Sequence, residues 1–192
     1  RAAVGLDILR YIGSDVALTH LHGIALKVRF KALQDKAREL IQEIADERGL
    51  SVDELGDRLV PTLETEGLSP YEVVFDELLR PRLKDVGELP KGAPAEVAEA
   101  WKALKKDAKS VAAVQLERLE QALTGQRRWG YAAFRSLLVE HPLLIQLVRR
   151  LVWGVYGTQG LERTFRVAED LTCADVRDEA VAVEGTVGLF HP

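Results

Sequence analysis

The side chains in this sequence that could do chemistry are four histidines, a lone cysteine and three groups of basic residues beside tryptophans. His20 and His22 sit two apart in a helical pattern, so they point roughly 200° from one another. A helical zinc pair needs a spacing of three or four, and neither His141 nor His191 supplies it. His141 precedes Pro142 and is expected to cap or kink a helix. Cys173 has no CxxC partner and nothing pairs it with a histidine, so a structural thiol is expected. Gly154, Gly157 and Gly160 fall within seven residues, but between β-type runs. A phosphate-binding loop needs a helix N-terminus behind it, and a hairpin turn explains these glycines more simply. The acidic groups Asp53, Glu54 and Asp57, or Glu117 and Glu120, have the spacing of solvated helix faces and caps, not of an acid/base couple. No metal and no cofactor is expected from these patterns.

The basic residues carry the stronger signal. Lys102, Lys105, Lys106 and Lys109 share one helix face. Arg127 and Arg128 precede Trp129, and Arg149 and Arg150 lie just before Trp153. Guanidinium groups beside aromatic rings can contact phosphates and stack on bases. The competing reading makes the lysines a solvated face and Trp101, Trp129 and Trp153 core anchors. Charge favours the second. The net charge is −4, and the chain is uneven: residues 1–99 hold 13 Lys/Arg against 19 Asp/Glu, residues 100–170 hold 12 against 7, and residues 171–192 hold 1 against 4. A nucleic-acid domain usually shows a stronger basic excess. These eight basic positions are the candidate surface for a partner or for weak nucleic-acid contact.

Elements that would position them follow from periodicity. Val4, Ile8, Leu9 and Ile12 recur at helical spacing and Gly13 ends the run. Ser14 is an N-cap for a helix lined by Ala17, Leu21, Ile24, Ala25 and Val28. Leu33, Ala37, Leu40, Ile41 and Ile44 line a third, closed by Gly49. Ser51 to Glu54 reads as a capping box for a short helix that stops before Pro61. Residues 1–60 are thus a layer of amphipathic helices of HEAT-like character. Residues 61–93 are rich in Pro and Gly, with short strands expected at Tyr71–Phe75 and Leu78–Leu83. Within 94–150 a long helix carries the stripe Val97, Trp101, Leu104, Ala108, Val111, Gln115, Leu119 and Ala122 or Leu123 and ends at Gly125. A further helix holds Phe134, Leu137 and Leu138, is interrupted at His141-Pro142, and resumes at Leu143 to Val148. In 151–192 short strands are expected at Leu151–Tyr156, Thr164–Ala168, near Thr172–Val176, at Val181–Val183 and at Val187–Phe190. The fold class is therefore α+β, mainly helical, with a small C-terminal antiparallel sheet, in a single domain over 1–192.

The 47% hydrophobic and 29% charged content fits a globular chain. No apolar run approaches the roughly 20 residues of a bilayer span, so no membrane partner is expected. One cysteine fits a reducing compartment. The chain contains no Met, including at position 1, which points to a piece of a larger protein.

Four blocks resemble one bacterial family. They are Gly23-Ile24-Ala25 with Phe30 to Gln34; Gly49 to Leu63; Trp101 to Ala108; and His141 to Leu144 running on through Leu151–Tyr156 and Thr164–Asp170. On these residues the chain is similar to the C-terminal domain of molybdate-metabolism-regulator-like (MolR-like) proteins, a domain of unknown function. The chain departs from that pattern between Leu63 and Pro90, where relatives carry a longer β-rich insertion, and at Gly130, where they have a helix-capping Ser. Relatives often also carry a WGR domain, and none is visible here. The resemblance implies a cytoplasmic bacterial protein. The expected function is a non-enzymatic protein-interaction or scaffold module whose partner is another protein or the rest of its own parent chain. One alternative is a regulatory module with weak nucleic-acid contact. The other is part of an enzyme whose site lies outside this segment.

Overall fold

In the computed structural model, the structure describes residues 2–61, 63 and 65–191. Thr62 of the Gly49–Leu63 block, and the extreme ends of the 1–192 span, lie outside the described residues. About half of the chain is helical, and the strands are antiparallel, so the fold is α+β and mainly helical as the sequence predicts.

The first layer is α1 (Ala2–Ile12), α2 (Asp15–Lys27), α3 (Lys31–Glu47) and α4 (Val52–Arg58). Local chemistry sets its boundaries. The Ser14 hydroxyl accepts from the Ala17 amide, capping α2. Ser51 and Glu54 form the reciprocal capping box of α4. Gly49, at φ +65°, closes α3: its own amide donates to Asp46 and the Leu50 amide reaches back to Ala45, the paired bonds of a Schellman motif. α2 packs on α1 and α3, and Leu6, Leu18, Leu21, Ala37, Leu40, Ile41, Ile44 and Leu55 form the core of this layer. Of the expected α1 stripe Leu9 packs on this core as the spacing predicts, but Val4, Ile8 and Ile12 are exposed and Leu6 is the fully buried residue.

β1 (Val73–Phe75) and β2 (Pro81–Leu83) pair as a hairpin inside the two stretches expected to be strands. Asp76 organises the bend by accepting from the Leu78 and Arg80 amides. α5 (Ala95–Thr124) is the spine of the molecule, 30 residues long, with Gly125 at its C-cap. Its stripe is buried as the periodicity requires: Trp101, Leu104, Ala108, Val111, Gln115 and Ala122. Its first half packs with Leu68 and Leu83 under the hairpin. Further along, Ala108, Val111 and Ala122 join the largest core cluster, on which the C-terminal sheet also packs.

That sheet has five strands in the order β3-β7-β4-β5-β6. β4 (Trp153–Gly157) and β5 (Gly160–Val167) form a hairpin through Thr158-Gln159, the turn the glycines announce. β6 (Cys173–Ala174) and β7 (Thr186–Leu189) complete two of the other expected runs. Two assignments need correction. Val181–Val183 is not a strand; only Ala180 bridges to Ala174, and Val183 is buried as a loop anchor. In the opposite sense β3 (Arg128–Gly130) is a strand that periodicity does not predict, pairing with Thr186–Gly188 along β7. Three residues are too few for alternation to register. The helix expected around Phe134 is α6 (Tyr131–Phe134) running into a π-turn (Arg135–Val139), and α7 (Ile145–Val148) resumes after His141-Pro142. Phe134 is fully buried against Trp153, with ring centroids 4.6 Å apart, and Trp129 meets Trp153 edge-on at 6.0 Å.

Candidate functional site

The most concentrated chemistry lies where α4, α5 and β3 meet. Asp57, on the last turn of α4, is 5% exposed. Its carboxylate accepts from four directions. Arg118 Nη2 of α5 donates to Oδ1 at 2.5 Å. Arg127 donates from both terminal nitrogens, one to each oxygen. Trp129 Nε1 of β3 donates to Oδ2 at 2.9 Å. The Arg127 guanidinium also lies 4.9 Å from the Trp129 ring centroid. Arg118 is itself buried, and its other bonds go to Gln115 Oε1 at 2.7 Å and to the Asp53 carbonyl at 3.1 Å.

This corrects the reading of Asp57 as a solvated helix-face carboxylate. Asp53 and Glu54 are exposed, and Glu54 closes the capping box with Ser51, but Asp57, one helical turn on from Asp53, points inward. A buried carboxylate survives only with charge and hydrogen-bond partners, and three of the four bonds come from residues 70 or more positions away. Spacing along the chain gives no sign of them.

His22 of α2 flanks the same cluster. The backbone at Gly56 passes so close that a Cβ there would lie 2.6 Å from His22 Cε1 and 2.7 Å from Arg118 Nε. Burial, together with the Arg118 charge, lowers the His22 pKa to about 4 against the opposing pull of Asp53 and Asp57. The ring is therefore neutral at pH 7.

The eight candidate basic residues fall in three places. Lys102, Lys105, Lys106 and Lys109 are exposed on α5. Lys105 bonds Glu88 Oε2 at 3.3 Å and lies 5.4 Å from the Trp101 ring centroid, and Lys102 is 3.9 Å from Glu99. Arg127 is turned inward on Asp57. Arg128 stacks its guanidinium 3.6 Å from the Tyr156 ring centroid. At 1.5 Å per residue, this pair lies roughly 30 Å along α5 from the lysines. Arg149 pairs with Glu169 at 2.7 Å and Arg150 donates to the Glu77 carbonyl at 3.1 Å. These two line an open cleft of about 860 Å³ with Arg166, Glu169, Asp170 and Asp178. The acidic side chains there interleave with the arginines.

His141 and Cys173 have structural partners. The His141 Nδ1 accepts from the Leu143 and Leu144 amides, capping the turn into α7, and its Nε2 lies 3.3 Å from the Pro61 carbonyl. Cys173 is buried with its Sγ 3.8 Å from the Tyr131 hydroxyl, and burial pushes the thiol pKa up. Trp101 and Trp153 are core residues. Among the described residues no three His, Cys, Asp or Glu side chains group as metal ligands, and no helix is long and apolar enough to cross a membrane.

The family model described as "Domain of unknown function (DUF4132)" matches residues 82–192, more than half of the chain. The chain belongs to the DUF4132 family. This DUF4132 segment is also 38% identical over 219 aligned positions to the uncharacterized protein YehI of Escherichia coli (strain K12). The match covers all of the chain but 18% of that relative's length. The alignment is longer than the 192 residues of the chain, so the relative carries extra residues within the matched span. No solved structure matches the chain. The DUF4132 match takes in Arg118, Arg127 and Trp129 but begins after Asp57 and His22. The buried network therefore ties the part matched by the family model to the helical layer before it.

Proposed function

We propose that this DUF4132 segment is a non-enzymatic protein-interaction module, and that its partner is the rest of its own parent chain, a cytoplasmic bacterial protein of the MolR-like, WGR-associated kind. The supporting observation is the outer face of α1. Val4, Ile8, Tyr11 and Ile12 recur at helical spacing, and all are more than half exposed, Tyr11 at 92%. A row of large apolar residues on one helix face is the pattern of a helix with a neighbour on both sides. Among the described residues the main packing partners of α1 are α2 and α3, which cover the opposite face. The matched relative is more than five times as long as the stretch it shares, so another amphipathic helix of the parent chain is the occupant this reading assigns. The engagement of Asp57, His141 and Cys173 in internal contacts is consistent with a scaffold.

The test is hydroxyl-radical footprinting of the full-length parent protein. Tyr11 is expected to be modified severalfold more slowly than exposed Phe30 after correction for intrinsic reactivity. Ile8→Asp is expected to restore its labelling. Equal labelling of Tyr11 and Phe30 in the parent protein would overturn the reading.

A further inference from the structure

His22 is the one member of the buried cluster whose side chain forms no hydrogen bond with another described residue, although it is only 6% exposed. Neither of its ring nitrogens is sealed away from solvent without a partner. His22 lines a cavity of about 220 Å³ with Asp53, Arg118, Gln121, Gly125 and Arg127. The cavity is smaller than the roughly 300–1,000 Å³ that drug-sized ligands occupy, so it suits a small group.

The donors around it are unevenly used. A guanidinium carries five N–H donors. Arg118 directs its bonds from Nη1 and Nη2 to Gln115, Asp57 and the Asp53 carbonyl, and Arg127 directs Nη1 and Nη2 to Asp57. The Nε–H of each appears in none of these bonds. Two guanidinium groups share one buried carboxylate, Asp57. The second carboxylate, Asp53, belongs to an exposed residue and is screened by water. The Gly56 backbone seats His22 and Arg118 side by side at the cavity wall, where any side chain would separate them. Held neutral, the imidazole offers one N–H that any oxyanion can accept and one acceptor nitrogen that suits the hydroxyl of a partly protonated phosphate.

We propose that this cavity binds a small oxyanion, either inorganic phosphate or a carboxylate group, gripped by Arg118 and Arg127 and completed by His22 and Gln121. A guanidinium N–H gives an oxyanion a charge-assisted hydrogen bond, and the Nε–H of each arginine is the donor not directed at Asp57, Asp53 or Gln115. The site is independent of the α1 face and does not rest on the docking proposal.

The experiment is isothermal titration of the full-length parent protein with inorganic phosphate and, separately, with acetate, each at constant ionic strength against chloride. A saturable one-site isotherm is expected for at least one of the two, and which one identifies the chemical source. Gln121 is exposed at the rim, so Gln121→Glu keeps the fold and places a negative charge at the mouth. It should weaken binding about tenfold. Asp53→Asn should tighten it, and His22→Leu should weaken it. If neither anion gives a saturable isotherm, or if Gln121→Glu and Asp53→Asn leave the affinity of the anion that binds unchanged, the proposal is wrong.

Discussion

The Trp129 indole donates to the Asp57 carboxylate at 2.9 Å across 72 positions of sequence. The bond ties a three-residue edge strand to the last turn of a seven-residue helix, two elements too short to be stable alone. Their positions are fixed by this polar centre and by the apolar clusters on either side of it.

Removing the carboxylate leaves two largely buried guanidinium groups without the charge that neutralises them. Asp57→Ala is expected to cost about 3–5 kcal/mol, the usual penalty for breaking a buried ion pair from one side. Urea denaturation followed by far-UV circular dichroism measures it. Glu54→Gln, three residues earlier on the exposed face, should cost far less.

His22 makes stability depend on pH with a defined sign. Its pKa falls from 6.5 to about 4 on folding, first because of burial and then because of Arg118, so the unfolded chain binds the proton more tightly. The stabilisation is complete above pH 6.5 and is lost as pH falls to about 4, amounting to about 3 kcal/mol over that window. Burial lowers the His141 pKa in the same direction and adds to the slope. Urea midpoints between pH 7 and pH 4.5 should fall, and His22→Leu should flatten the fall. An unchanged slope in that variant would refute the assignment.

Trp101 is 4% exposed and packs with Leu68, Leu83 and Leu104. Trp101→Ala should cost about 3–5 kcal/mol. The indole N–H lies at 3.4 Å from Glu88, a long bond, so Trp101→Phe should recover most of the loss. Thermal melts of the two variants separate packing from hydrogen bonding.

Nucleic-acid binding is expected to be weak and unselective. Four lysines on α5 could neutralise about three phosphates, for a salt slope of roughly −3 on duplex DNA, and Lys105 is already engaged with Glu88. Fluorescence anisotropy across a salt series should give micromolar or weaker affinity. Nanomolar, sequence-selective binding abolished by Lys105→Glu and Arg128→Glu would reverse this expectation.

Much of the fold was legible in the sequence because its signals are local. Ser14, Ser51 with Glu54, Gly49 and Gly125 mark helix ends through bonds reaching no more than five residues. The α5 stripe and the β4–β5 turn likewise depend only on spacing. The polar centre was not legible. Asp57 has the same local context as Asp53, and only the return of residues 118–129 against α4 separates the buried carboxylate from the solvated one. β3 was missed for the same reason: its three residues are a strand because β7 arrives beside them. Arg127 and Arg128 looked equivalent in sequence, yet one closes on Asp57 and the other lies over Tyr156.

The 72-residue separation of Asp57 and Trp129 also sets a clock during synthesis. At roughly 5–20 residues per second, the ribosome delivers Trp129 about 4–14 seconds after Asp57. The first four helices can therefore emerge and collapse while their inward-facing carboxylate still lacks the arginines that neutralise it. Full desolvation of a bare carboxylate is costly, so the nascent helical layer is expected to tighten around Asp57 only when residues 118–129 arrive.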